Sequence, residues 1–140
     1  MSKILFPDEV ILKTKLFNLA QDWEVPIVGF FILAPNRKIK SISEFTDNES
    51  KEFMELLIKT RKGMRDILGI ESVYLFQIED SKYDFHLAFF PRHEWTEQFG
   101  KKVGSIKPIM NYAEENMTDE KTIKEVKEAV RKMKEYMADF

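Results

Sequence analysis

The stretch of sequence that decides the fold is Asp84-Phe85-His86-Leu87-Ala88-Phe89-Phe90-Pro91-Arg92. An imidazole stands in the middle of this apolar run, and His86 is one of only two histidines in the chain. Because side chains alternate across a β-strand, every second residue from Phe85 onward is predicted to face a core. The opposite face then carries Asp84, His86 and Ala88. We expect any chemistry on this strand to lie on that second face.

A hairpin leads into this strand, which is predicted over residues 84–90. Residues 72–78 have the composition of another strand, and the polar segment Glu79-Asp80-Ser81-Lys82 separates the two. Two strands joined by a short polar turn are predicted to pair as an antiparallel hairpin.

Three further strands are predicted upstream, at residues 10–14, 16–20 and 29–35. The third is apolar on both faces and closes at Pro35. After it, Asn36-Arg37-Lys38-Ile39-Lys40 forms a basic turn with three positive charges. Such a turn is typical of a solvated surface loop, and a phosphate clamp is the alternative.

A long helix is predicted to begin after Thr46, because Thr46 and Glu49 form a capping box. Its apolar stripe stops at Gly69, the residue expected just past a helix end. Gly63 lies inside this helix and is interpreted as a site of close packing against the sheet. Residues 92–117 are predicted to be irregular, and a last helix begins at Thr118.

Composition indicates a single soluble domain over residues 1–140. The chain is 44% apolar and 33% charged, with a net charge of −2, so it has no general attraction for nucleic acid or anionic membranes. The absence of cysteine excludes disulfides and thiol nucleophiles. No leader or apolar span is recognised, so a cytoplasmic location is expected.

The order of these elements resembles the histidine triad (HIT) superfamily over nearly the whole chain. The strand that begins near Gly29 and ends at Pro35, the basic turn, the long helix, and the hairpin that ends in Pro91-Arg92 all follow that family's outline. The resemblance implies an α+β fold: a five-stranded antiparallel sheet with one long helix and a C-terminal helix.

The resemblance also implies roles for particular residues. His86 matches the central histidine of the family, the nucleophile that attacks the α-phosphate of a nucleotide. Asp84 and Ala88 stand where the family has its flanking histidines, and Lys38 stands where the basic turn has another. Ser81 matches a serine or threonine five residues before the nucleophile. Arg92 and His93, which follow the strand, are added as candidate contacts to substrate.

Two departures from the triad weaken catalysis. Ala88 offers no donor to a phosphate, which would cost roughly ten- to a hundredfold in rate. A carboxylate such as that of Asp84, about 5 Å from a phosphate, would repel one unit of charge by roughly 3 kcal/mol. We therefore hypothesise that Lys38 pairs with Asp84 and cancels this repulsion.

Alternatives remain at several of these positions. His86 is either a nucleophile or a structural histidine, and His93 is either an exposed loop residue or a substitute donor. Gly100-Lys101-Lys102-Val103-Gly104-Ser105 lacks the spacing of a phosphate-binding loop. The aromatic residues that could line a base slot are Phe6, Phe17 and Trp23.

The leading functional hypothesis is a nucleotide-binding protein with nucleotidyl hydrolase or transferase activity through His86. Its substrates would be dinucleoside polyphosphates or nucleoside phosphoramidates, without a cofactor or metal. The alternative is an inactive protein that binds a nucleotide or another phosphorylated small molecule for regulation. HIT proteins commonly pair through the long helix and an adjacent strand, so the resemblance also implies a homodimer.

Overall fold

The computed structural model describes residues 3–140. Its five strands form one antiparallel sheet in the order β1-β2-β3-β5-β4. The strands are β1 (Val10–Lys13), β2 (Phe17–Gln21), β3 (Phe31–Pro35), β4 (Val73–Gln77) and β5 (Leu87–Pro91). The helices are α1 (Asp47–Asp66), α2 (Ile106–Asn116) and α3 (Glu120–Met137), with 3₁₀ turns at Ile42–Glu44, Glu94–Phe99 and Val103–Ser105. The predicted α+β fold is confirmed.

The prediction that residues 92–117 are irregular was wrong. This segment holds two 3₁₀ turns and α2. The apolar spacing of Ile106, Ile109, Met110 and Ala113 is helical. Glycines at 100 and 104 and a proline at 108 interrupt the segment, and they obscured that spacing. Helix α2 covers one face of the sheet.

Two cores lie on opposite faces of the sheet. Phe85 and Phe89 belong to the first core, which α1 and α3 cover. Ala88 and Phe90 belong to the second, together with Ile109 and other residues of α2. The alternation predicted from the sequence is therefore confirmed, but the second face of β5 is covered rather than open. His86, which was predicted to lie on this face, precedes the strand and is therefore outside it.

Helix α1 begins and ends as the sequence predicts. Thr46 and Glu49 form the capping box, and Gly69 has a φ of +69°. The interpretation of Gly63 needs correction, because this glycine contacts α3 rather than the sheet. A Cβ at Gly63 would lie 2.7 Å from Cδ2 of Tyr136. The glycine thus permits the close approach of α1 and α3.

The basic turn is joined to the beginning of α1 by an ion pair whose guanidinium is half-exposed and whose carboxylate is buried. Arg37 donates to both carboxylate oxygens of Glu49, at 3.0 and 2.8 Å, and to the carbonyl of Glu44. Glu49 is 2% exposed. The Arg37 guanidinium lowers the pKa of Glu49 to about 2. Arg37 therefore holds the turn against the helix instead of facing a phosphate.

Replacing Arg37 with Gln should lower the free energy of unfolding at neutral pH, because Glu49 would lose its charged partner. Since the folded-state pKa of Glu49 lies below its usual 4.5, this stabilisation is complete above pH 4.5 and is lost as the pH falls toward 2. The Arg37→Gln variant should therefore lose less stability than the wild type over that interval.

Urea unfolding at several pH values measures this difference. Lys38→Gln is the matched control, because it makes the same charge change at the neighbouring exposed residue. An Arg37→Gln protein with the wild-type free energy and pH dependence would contradict the assignment.

Candidate functional site

The imidazole of His86 lies immediately before β5, which begins at Leu87 rather than at the predicted residue 84. Its Nδ1 is 2.9 Å from the backbone carbonyl oxygen of Asp84. A carbonyl only accepts hydrogen bonds, so Nδ1 carries the proton and donates it. In the neutral ring, Nε2 then holds the free lone pair. This is the nitrogen that can attack an electrophile.

Phe85 fixes the backbone next to this ring. Its amide donates to the carbonyl of Ile39 at 2.7 Å, and its side chain is 3% exposed. The ring of Phe85 packs against Phe45 and Phe53, at centroid distances of 5.1 and 6.0 Å. The residue before His86 is therefore anchored by both its main chain and its side chain.

The position two residues beyond His86 is apolar. Ala88 is 1% exposed and lies between Ile32 of β3 and Phe76 of β4 in the sheet register. None of these three side chains can donate a hydrogen bond. A phosphate next to His86 would meet no donor from this direction.

Asp84 pairs with a lysine of the basic turn, although not with the predicted one. Lys40 Nζ is 3.9 Å from Asp84 Oδ1, and it donates to the carbonyl of Tyr83 at 2.6 Å. Lys38 is exposed. The hypothesis that Lys38 pairs with Asp84 was therefore wrong, because the partner is Lys40. The two lysines are separated by Ile39, which is buried in the first core.

Ser81 shapes the turn before His86. Its hydroxyl accepts a hydrogen bond from the amide of Tyr83 at 3.2 Å. The ring of Tyr83 lies edge-on to His86, with 6.1 Å between the ring centroids. Ser81 thus acts on the neighbourhood of the imidazole through the backbone and through Tyr83.

Arg92 lies at the other end of β5 and is held by structural contacts. It is 9% exposed, donates to Ser105 Oγ at 3.1 Å and to the carbonyl of Gly100, and stacks over the ring of Tyr74. It lies six positions beyond His86, which corresponds to roughly 20 Å along a strand. Arg92 therefore holds the loop around residues 100–105.

His93 lies beside Arg92 and is also far from His86. Its Nε2 donates to the carbonyl of Val28 at 2.7 Å, and its ring stacks on Trp95. Burial lowers the pKa of His93, so the ring is neutral at pH 7. The structure does not bring Arg92 or His93 to the imidazole of His86.

The three aromatic residues considered for a base slot have different environments. Phe6 and Phe17 are each 1% exposed and belong to the interior. Trp23 is 57% exposed. Of these three rings, only that of Trp23 has a broad surface open to a ligand.

The structure contains further features that bear on binding. A cleft of about 420 Å³ is lined by Tyr74, Arg92 and His93 among others, and it does not include His86.

Within residues 3–140, no three His, Cys, Asp or Glu side chains are grouped so that they could hold a metal ion. No helix in the described part of the chain is long and apolar enough to cross a membrane.

Solved structures similar to this chain share one fold. A zinc-bound histidine triad family protein from Mycobacterium smegmatis superposes with a TM-score of 0.64 at 12% identity, covering 95% of this chain and 86% of the other. A HIT-like protein involved in cell-cycle regulation from Bartonella henselae gives 0.64 at 11% identity, over 94% and 88%. A hypothetical histidine triad nucleotide-binding protein from Sulfolobus tokodaii gives 0.60 at 14% identity, over 94% and 89%.

This chain has the histidine triad fold. No protein-family model matches its sequence, and no curated protein matches it either. The similarity is therefore one of architecture, at sequence identities where side chains are free to differ.

Within the histidine triad fold, the sequence resemblance assigns the three signature positions to Asp84, His86 and Ala88. The structure places the first beside Lys40, the second at the beginning of β5 and the third in the second core. The residue that sequence reasoning missed is Lys40. Its contacts span 41 to 44 positions along the chain, so no local pattern could indicate them.

Proposed function

We propose that the chain is a nucleotide-binding protein whose His86 carries a nucleotidyl group transiently during hydrolysis. The observation that carries this proposal is the hydrogen bond between His86 Nδ1 and the Asp84 carbonyl, which leaves the Nε2 lone pair free. A histidine in this tautomer is a competent nucleophile at neutral pH. The similarity of the fold to that of the hypothetical histidine triad nucleotide-binding protein from Sulfolobus tokodaii supports the choice of ligand.

The reaction would run in two steps. In the first, Nε2 of His86 attacks the α-phosphorus, a P–N bond forms, and the bond from phosphorus to the leaving group breaks. The leaving group takes up a proton from solvent. In the second, water attacks the same phosphorus, the P–N bond breaks, and the neutral imidazole is restored as the water proton passes to solvent. Dinucleoside polyphosphates and nucleoside phosphoramidates provide suitable leaving groups.

Charge around His86 determines how fast these steps run. The transition state accumulates negative charge on the phosphate oxygens, and preorganised donors stabilise it. Lys40 offsets the charge of Asp84, while Ala88 contributes no donor. We therefore expect turnover that is slower, by roughly ten- to a hundredfold, than with a donor at position 88.

A second function, binding without turnover, is favoured by one specific observation. The position of Ala88 is sealed between Ile32 and Phe76, so only one side of a bound phosphate could meet donors. A regulatory protein would need a nucleotide to bind there, but not to react.

Incubation with a fluorogenic adenosine phosphoramidate and with a dinucleoside polyphosphate separates these functions. We expect slow release of product by the wild type and none by His86→Ala, because the nucleophile is gone. His93→Gln is the matched control: it removes the other imidazole and keeps a side-chain donor for the Val28 carbonyl, and it should retain activity.

Equal rates in the wild type and His86→Ala would refute the enzymatic assignment. Nucleotide-dependent thermal stabilisation without turnover would instead support the binding function. If the nucleotides gave neither turnover nor stabilisation, both would be contradicted.

We also propose that two copies of the chain associate through α1 and β4. Strand β4 is an edge of the sheet, and Leu75 at its centre is 48% exposed. Leu75 pairs with Phe89 and therefore projects on the side that α1 covers. Met54 and Ile58, one turn apart on α1, are 50% and 49% exposed. Edge strands with exposed apolar side chains are prone to pair with another chain.

Sedimentation velocity tests this association. The wild type should sediment at twice the 16.6 kDa of one chain, and Leu75→Lys should sediment as a monomer because the lysine places a charge in the contact. Val103→Lys, at a residue that is 80% exposed outside α1 and β4, is the control and should remain dimeric. A wild type that stays monomeric at its highest soluble concentration would contradict the proposal.

A further inference from the structure

The turn between β4 and β5 lacks glycine. The ammonium group of Lys40 contacts this turn. Lys40 Nζ lies 2.6 Å from the carbonyl oxygen of Tyr83 and 3.4 Å from that of Ser81. It also lies 3.9 Å from Oδ1 of Asp84. All three contacts are with residues 81–84, two as hydrogen bonds and one as an ion pair.

Lys40 is itself fixed at its backbone. Its amide donates to Oε2 of Glu44 at 3.0 Å, and the amide of Ser41 donates to the same oxygen at 3.1 Å. These two bonds lower the pKa of Glu44, which keeps the carboxylate charged. The stem of Lys40 therefore starts from a rigid turn, between the buried Ile39 and the capping box of Ser41 and Glu44.

Lys40 contacts the carboxylate of Asp84, the residue whose backbone carbonyl binds the imidazole of His86. Lys40 holds the carbonyl before Asp84 and the carboxylate of Asp84, and the carbonyl of Asp84 accepts from His86 Nδ1. The side chains of Lys40 and Asp84 are 48% and 51% exposed. An exposed ion pair contributes little to stability, so the effect of these contacts is on geometry and local charge.

We propose that Lys40 is the positioning residue for His86. By holding residues 81–84, it keeps the Asp84 carbonyl where it accepts from Nδ1, so that Nε2 remains the unprotonated nitrogen. It also supplies the positive charge that offsets Asp84 when a phosphate approaches. The first role concerns the free protein, and the second rests on the proposed function.

Nitrogen-15 chemical shifts of the His86 ring report the tautomer without requiring turnover. In the wild type at pH 8, we expect the Nδ1–H form to predominate. In Lys40→Met, which keeps an apolar stem but removes the charge and the donors, we expect a mixture of the two neutral tautomers. Lys40→Arg should restore the wild-type shifts. Lys38→Met is the matched control, because it removes the same charge from the same turn, and it should leave the shifts unchanged.

The rate of phosphoramidate hydrolysis gives the second measurement. The kcat of Lys40→Met should fall by roughly ten- to a hundredfold, as expected when a reacting group is misplaced, and Lys121→Met, at an exposed lysine of α3, should keep the wild-type kcat. Thermal melts establish that each variant is folded, and melting of Lys40→Met below the temperature of measurement would contradict the limited contribution to stability inferred above.

The two proposals fail in different ways. If the wild type shows no turnover but the tautomer changes in Lys40→Met alone, the hydrolase function is wrong and the positioning role stands. If Lys40→Met keeps the wild-type tautomer, or if Lys38→Met changes it equally, the positioning role is overturned whatever the activity.

Discussion

The hydrogen bond from the amide of Phe85 to the carbonyl of Ile39 is the contact on which the candidate site depends. It joins the connection that follows β3 to the connection that precedes β5. With the ring of Phe85 buried against Phe45 and Phe53, this bond brings Lys40 to the turn of residues 81–84. It also places His86 at the end of the sheet rather than within it. An imidazole at a strand end can be half-exposed while the residues on either side are fixed.

The rest of β5 is largely buried in the interior of the protein. Phe89 packs beneath α1 and α3, and Phe90 packs beneath α2. Burial of both faces stabilises the strand through apolar contact, and it leaves no room for polar groups at Ala88. At one end of this hairpin, Asp84 pairs with Lys40 through its carboxylate and with His86 through its backbone carbonyl. Arg92 and His93 serve the opposite end, where they hold the loop around residues 93–105.

Local patterns predicted much of the fold. The capping box of Thr46, the left-handed Gly69 and the alternation along residues 85–90 all act over a few residues, so the sequence displays them directly. Helix α2 was missed because its apolar spacing is short and interrupted by Pro108. The site was less predictable. The pairs Arg37–Glu49 and Lys40–Asp84 depend on the tertiary arrangement of segments that are distant in sequence. The basic turn contains three cations, and the sequence does not indicate which cation pairs with which acid.

The hydrolysis that we propose requires a covalent bond between the imidazole of His86 and phosphorus. Mass spectrometry of the intact protein, quenched at alkaline pH during incubation with an adenosine phosphoramidate, tests it most directly, because a phosphorus–imidazole bond is labile in acid. We expect a mass increase of one nucleotidyl group, located on the peptide that contains His86 and absent from His86→Ala. Turnover by the wild type with an adduct on any other residue would contradict it.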